Sequence, residues 1–268
     1  VAYRSGALLD MSAVTRIGIS SFADLHTDRQ ALFLLTLLEV IDSVSEHLKE
    51  EELVIPILSL LSCVASRFVF QNCALSRWNA ARDTLEGAFG KQALQNTWDF
   101  AEANPLANGP ASLNGAIEWV LKVINANVCL PHSATVQKAA AQDQVLPNDA
   151  ADALITDPPY FAAIPYGDLS DVFYVWERRF FKKWHPSLYV DGLVDKLDEI
   201  IVTRANVDRE GNPKEANFFE KEMGKALRAQ RLVVKPHGIA VIVFADTRTE
   251  AWESILGAVI NAGWAITG

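Results

Sequence analysis

Apolar positions along this chain change their period near residue 130. From Thr27 the run TDRQALFLLTLLEVIDSVSEHLKEE carries Leu32, Leu35, Leu38 and Ile41, with Leu34 and Leu37 beside them. That is a wide stripe at helical spacing. Thr27 and Gln30 make a capping-box pattern at its start, and charge gathering over residues 46–52 predicts its end. A second helix is predicted over about 53–70, and another over SLNGAIEWVLKVINANV, capped by Ser112. The stretch between them, CALSRWNAARDTLEGAFGKQALQNTWDFAEANPLANGP, is richer in polar and aromatic residues. Pro105, Gly109 and Pro110 close it. Residues 1–130 therefore predict an almost entirely helical region.

Beyond residue 130 the runs shorten. ATVQKA is a weak strand pattern. ADALITD is a stronger one, bounded by the acidic loop QDQVLPNDA. GDLSDVFYVWERRFFKK predicts a helix that Asp168 can cap, with Asp171 in its first turn, where the helix dipole favours an anion. VTRANVDREGNPKEAN is polar and reads as a loop. ANFFEKEMGKALRAQRLV predicts a helix. KPHGIAVIVFAD predicts a tight turn feeding a fully apolar strand over 239–245, with His237 in the turn. TEAWESILGAVINAG is an amphipathic helix ending at Gly263, and WAITG starts another strand. Strand, helix, strand, helix, strand is half of an open α/β sheet. The predicted fold class is α/β: a partial Rossmann-like sheet over 131–268, preceded by the helical region.

Composition narrows the setting. The 268 residues, 50% hydrophobic, suffice for one large domain or two modest ones. The chain begins on valine and ends on an apolar run, and reads as a piece of a longer protein. No run approaches about 18 uninterrupted apolar residues, so no membrane span is predicted. ELVIPILSLLSCVASRFVF is interrupted by Pro56, Ser59, Ser62, Ser66 and Arg67. Cys63, Cys73 and Cys129 form no C-x-x-C pair and no metal-ligand spacing with the histidines. Cys63, in an apolar helical run, is expected to be a buried thiol, and a reducing cytoplasm is the simplest compartment. The net charge of −9 argues against non-specific nucleic-acid binding by this piece alone. A local basic strip stays open: RRFFKKWH reads either as one or as a solvated helix end.

Candidate chemistry lies in LITDPPYFAAIPYGDLSD. In open α/β sheets, sites form beyond the carboxyl ends of strands. Asp157 ends an apolar run and would project a carboxylate there. Pro158 and Pro159 lack N–H groups and hold φ near about −65°. The loop is therefore stiff. An acid and a fixed carbonyl are two acceptors, and they match the two hydrogens of an amino group. Tyr160 adds a flat face for a ring.

The residues D-P-P-Y resemble the motif of the amino-methylating nucleic-acid methyltransferases, which use S-adenosylmethionine. TDPPYFAAIPYGDLSDVFYVWERR, SRWN, FGKQALQNTWDFAEANPL and VVKPHGIAVIVFADTRTEAWESILGAVINAGWAIT together resemble the large prokaryotic adenine-specific DNA methylase-like proteins. The resemblance implies a methyltransferase sheet. It also implies that Asp157 and the Pro158 carbonyl accept hydrogen bonds from the amino group of a base flipped out of DNA. Tyr160 would stack on that base, with Pro159, Phe161 and Tyr166 lining its pocket; for Tyr166, packing of the loop is an equal reading. The family's glycine-rich cofactor turn, of the DPFAGGG kind, does not occur here. EGAFGKQ has two glycines but reads as structural, in a helical region with no strand before it. The resemblance therefore places the main cofactor motif upstream, in an N-terminal part of the same protein. SRWN and NTWDF read equally as faces towards the site and as domain packing. The rival to this enzyme is a non-catalytic DNA-docking or assembly module that keeps the D-P-P-Y loop as a turn.

Overall fold

The computed structural model describes residues 18–89, 93–94, 97–109, 111–129, 132, 134–143 and 145–267. The chain forms two compact units. One comprises Val1–Ser133 with Gly167–Val194, and the other Ala134–Tyr166 with Asp195–Gly268. The first division along the chain falls after residue 133. The segment Gly167–Val194, expected in the second region, instead belongs to the first.

The first unit is built on α1 (Asp28–Val44), α2 (Glu51–Gln71) and α3 (Leu113–Asn127). Thr27 and Gln30 form the expected capping box: Thr27 Oγ1 accepts from Gln30 N at 3.3 Å, and Gln30 Oε1 from Thr27 N at 2.9 Å. Ser112 Oγ accepts from Gly115 N at 3.0 Å at the start of α3. Leu34, Leu38 and Ile41 of α1 pack with Leu58, Val64 and Phe68 of α2 in one core. That core also takes Val172, Trp176 and Phe181 of α4 (Tyr166–Phe181). Their helical spacing gives α4 an apolar face that the first unit buries, which is why Gly167–Val194 joins it.

Two expectations for this unit are corrected. The stretch after α2 is not helical: β1 (Arg77–Asn79) and β2 (Thr84–Glu86) form an antiparallel hairpin. Asn79 Oδ1 accepts from Ala81 N and Arg82 N, each at 3.1 Å, and this local bonding competes with a helix. Cys63 is exposed and Cys73 is the buried thiol. Helix α2 runs unbroken through Pro56 and the serines, with a mean hydropathy of 2.1 over its most apolar stretch, so it has the length and composition of a span. Its serines bond within the unit instead: Ser59 Oγ lies 2.9 Å from His185 Nε2, and Ser66 donates to Glu177.

The second unit is mixed α/β. β3 (Ala151–Thr156) pairs in parallel with β6 (Val234–Ile242). Between them in sequence lie β4 (Thr203–Val207), β5 (Pro213–Lys214) and α5 (Ala216–Val233), and α6 (Thr249–Asn261) follows. The register runs Leu154↔Ala240, Ile155↔Val241 and Thr156↔Ile242. Val243 N donates to Thr156 O at 2.8 Å and carries the ladder towards the expected end of the strand. Near its start the register slips: Ala151 faces Val234 and Ala153 faces Ile239, so KPHG, expected as a tight turn before the strand, is instead a bulge within β6. Gly238 is required there, because a Cβ would sit 2.7 Å from the carbonyl oxygen of Asp152.

α5 and α6 pack through Phe219, Met223, Leu227, Ala251, Ile255 and Ala258 into this unit's core. The strands are apolar but not fully buried: Ile155 is 76% exposed and Ile239 65%. A doubly wound sheet covers both faces of each strand, and here the alternate positions stay open. ATVQKA and WAITG, expected as strands, contain none among their described residues. Apolar or β-branched character alone does not make a strand without a partner for its ladder. VTRANVDREGNPKEAN, expected as a loop, contains the β4–β5 hairpin. Asp208 Oδ1 accepts from Glu210 N and Asn212 N, and Gly211 takes φ +85°, which together close its turn.

Candidate functional site

The D-P-P-Y loop leaves the carboxyl end of β3, beside the end of β6, as the sequence predicts. Asp157 is exposed, Pro158 is buried, and Pro159 and Tyr160 are half-buried. The loop then closes on itself. Phe161 N donates to Pro159 O at 3.1 Å, and Ala163 N donates to Tyr160 O at 2.7 Å. Among the described residues no donor takes the carbonyl of Pro158. The loop thus carries an exposed carboxylate, followed by a buried proline whose carbonyl no described donor takes.

Tyr160 and Tyr166 both bear on that carboxylate. The hydroxyl of Tyr160 is hydrogen bonded to Asp157, and this bond is the main cause that raises its pKa above the usual tyrosine value. Burial, with the charge of Asp157, raises Tyr166. The Tyr166 hydroxyl also meets the main chain of Tyr160. Asp157, Tyr160 and Tyr166 therefore form one polar group.

Phe161 differs from the expectation that it lines a pocket. It is 2% exposed, and its ring packs edge-on against Phe219, with centroids 5.2 Å apart. Its φ is +42°, a left-handed conformation uncommon for a bulky residue. Val202 N donates to its carbonyl at 2.8 Å. Phe161 is the anchor of the loop, and its backbone makes the sharp reversal after the motif.

Sequence reasoning assigned no part to the residues after β6. Phe244 meets Tyr160 edge-on at 5.7 Å, and Trp252 meets Phe244 at 5.3 Å. Trp252 Nε1 donates to Asp246 O at 2.9 Å. Asp246 Oδ1 and Oδ2 take Arg248 Nε at 2.8 Å and Nη2 at 2.5 Å. The guanidinium, so held, lies 5.1 Å from the centre of the Phe161 ring. The Arg248 contacts hold the Asp246 carboxyl below its usual range. The signal available in sequence was the acid–base pair D-T-R directly after an apolar strand. A groove of about 500 Å³ lined by Ile239, Ile242, Phe244, Trp252 and Trp264 opens on the far side of these braces, sharing Phe244 and Trp252 with them. None of residues 157–161 lines it.

The remaining candidates lie in the first unit. Asp168 is in the first turn of α4 rather than at its cap, because the helix begins two residues early, at Tyr166. Asp171, past that turn, accepts from Val194 N at 2.8 Å. RRFFKKWH is knitted into the helices. Asp42 takes Lys183 Nζ at 2.6 Å and Trp184 Nε1 at 3.1 Å, which supports the helix-end reading over a phosphate-following strip. Trp78 of SRWN is 52% exposed and Trp98 of NTWDF 97%; Asn96 lies outside the described residues.

Gly87 does not form a cradle for S-adenosylmethionine. A strand, β2, does precede Gly87 of EGAFGKQ, but it belongs to an antiparallel hairpin. A Cβ on Gly87 would lie 2.1 Å from the Phe70 ring, so this glycine accommodates packing, not a ligand. Gly90, Lys91 and Gln92 lie outside the described residues. Comparison with family models, curated proteins and solved structures finds no match for this chain.

Proposed function

We propose that this chain is the base-binding half of an S-adenosylmethionine-dependent methyltransferase acting on an exocyclic amino group, with adenine in DNA as the preferred target. The observation that carries the reading is an exposed Asp157 carboxylate at the end of parallel β3, next in sequence to a Pro158 carbonyl that no described donor takes. Two acceptors on a loop stiffened by prolines suit the two hydrogens of an amine. Their benefit is largest as the nitrogen loses its planar character, and an interaction that strengthens in that way raises rate more than binding. Tyr160, buttressed edge-on by Phe244, offers a face to a base. Cofactor binding is assigned to a segment outside the described residues, and Rossmann-like topology is part of this proposal.

A second reading is favoured by the filled Gly87 turn and the net charge of −9: a docking module without chemistry. The deciding experiment is radiolabelled methyl transfer to DNA by the protein that carries this chain together with its cofactor-binding part. Wild type should transfer and Asp157→Ala should not, with cofactor affinity unchanged. A folded Asp157→Ala protein that transfers at the wild-type rate would overturn the Asp157 mechanism, and a wild type that transfers nothing would favour the module reading.

A further inference from the structure

The end of β6 reaches the D-P-P-Y loop by two routes, and both start at Asp246. Through its carboxylate, Asp246 fixes Arg248, whose guanidinium covers Phe161. Through its carbonyl, it fixes Trp252, which braces Phe244, which braces Tyr160. The Asp246 side chain is 3% exposed, while that of Arg248 is 42% exposed. The ion pair is thus rooted on a shielded acid with a partly open cation. Arg248 N also donates to Asp246 Oδ1 at 2.9 Å, which closes a small ring that sets the direction of the pair.

What these contacts act on is a strained segment. Phe161 at φ +42° follows the motif, and a conformation of that kind persists only where the surroundings over-determine it. Ring packing on Phe219 and the bond from Val202 N hold Phe161. Arg248 adds its guanidinium over the ring. The neighbouring ring, Tyr160, is held by Phe244 and touches Asp157 through its hydroxyl.

We infer that Asp246 and Arg248 are positioning residues: they set the orientation of Tyr160 and Phe161, and through them the two acceptors of the D-P-P-Y loop. In the role this adds to the proposed base-binding site, neither residue need touch the base. Lysine cannot replace Arg248, because a single ammonium lacks the planar fork that binds both carboxylate oxygens while lying over a ring.

The test uses the 268-residue chain with carbon-13-labelled tyrosine rings, the Tyr160 signals being assigned by their loss in Tyr160→Phe. In the wild type, the Phe244 ring current displaces the Tyr160 ring signals from their free-tyrosine position. Asp246→Asn, Arg248→Ala and Arg248→Lys, which act on Tyr160 through the adjoining Phe161, should each change that displacement measurably, while Tyr174 and Tyr189, in the other unit, stay in place as the check on folding. Unmoved Tyr160 signals in the Asp246 and Arg248 variants would overturn the inference. A separate titration with a short single-stranded adenine oligonucleotide tests the base-binding reading on the wild type. Variants that move Tyr160 in a chain whose Tyr160 ignores the oligonucleotide support the positioning role and remove only the base-binding reading. An oligonucleotide that shifts Tyr160 in the wild type, with variants that leave its ring in place, overturns the positioning role alone.

Discussion

The hydroxyl of Tyr160 is hydrogen bonded to the carboxylate of Asp157, three residues back across the D-P-P-Y turn. A carboxylate has about four lone-pair sites, so it can hold this hydroxyl and an amine together. The ring and the hydroxyl of Tyr160 therefore separate by substitution. Tyr160→Phe keeps the stacking face and should change methyl transfer by less than about three-fold. Tyr160→Ala should weaken binding of the flipped base by about ten-fold or more. Asp157→Ala should lower the rate by about a hundred-fold or more, as loss of a group that acts on the reacting amine does. The measurement is methyl transfer with oligonucleotide binding alongside, in the protein that includes the cofactor part. Equal effects of Phe and Ala at position 160 would show that the hydroxyl, not the ring, carries the function.

Gly238 lets β3 and β6 approach where KPHG loops out. A methyl group there would meet the Asp152 carbonyl at 2.7 Å and Val234 Cγ1 at 2.4 Å. Main chain cannot give as a side chain can. Gly238→Ala should cost about 1–3 kcal/mol, and hydrogen exchange at Leu154 and Ile155 should accelerate before that of α6. Unchanged exchange in β3 would disprove this account of the bulge.

His26 is buried against Trp176, with ring centroids 5.0 Å apart. Neither ring nitrogen has a hydrogen-bond partner among the described residues. Burial lowers its pKa from 6.5 to about 4, and the main chain of Val69 and Phe22 opposes this only in part. Between those values the unfolded chain takes up a proton that the folded ring refuses. The stability this group contributes is complete above pH 6.5 and is lost as pH falls towards 4. The loss should reach about 3 kcal/mol for the first unit. Denaturant unfolding at intervals from pH 7.5 to 5, above the range where most carboxylates titrate, should show the midpoint falling. His26→Leu should flatten that fall, and an equal slope in the variant would assign the effect elsewhere.

Lys214 is 1% exposed and donates to two carbonyls, Lys196 O at 2.5 Å and Glu199 O at 2.7 Å. Desolvation lowers its pKa, though the carboxylates of Glu199, Asp198 and Asp195 oppose the shift. Lys214→Met keeps the stem and leaves both oxygens without their donor. It should destabilise the β4–β5 hairpin by about 1–3 kcal/mol and speed tryptic cleavage after Arg209. A cleavage rate equal to wild type would show that other contacts hold the hairpin.

Local signals in the sequence determined the helices and their ends. Thr27, Ser112 and Gly263 act within a turn of where they sit, and capping needs no distant partner. The same holds for Asp157–Tyr160: an acid and two prolines after a β-leaning run place a stiff loop at a strand end whatever surrounds it. Pairing decided the rest. ADALITD became a strand because the 239–242 run lies parallel to it, while the described residues of WAITG, no less apolar, form no ladder. The hairpin of VTRANVDREGNPKEAN depends on Lys214 reaching carbonyls of residues 196 and 199, which no short window contains. Tertiary structure alone drew α4 into the helical unit, through Trp176 and Phe181. It alone turned Phe161 from a pocket residue into an anchor, because burial is set by what packs against a ring. And only in three dimensions does Asp246, 89 residues after Asp157 in the chain, hold the contacts that brace the loop: its pair with Arg248 is local, but the aromatic faces meet that pair through the fold and not by spacing.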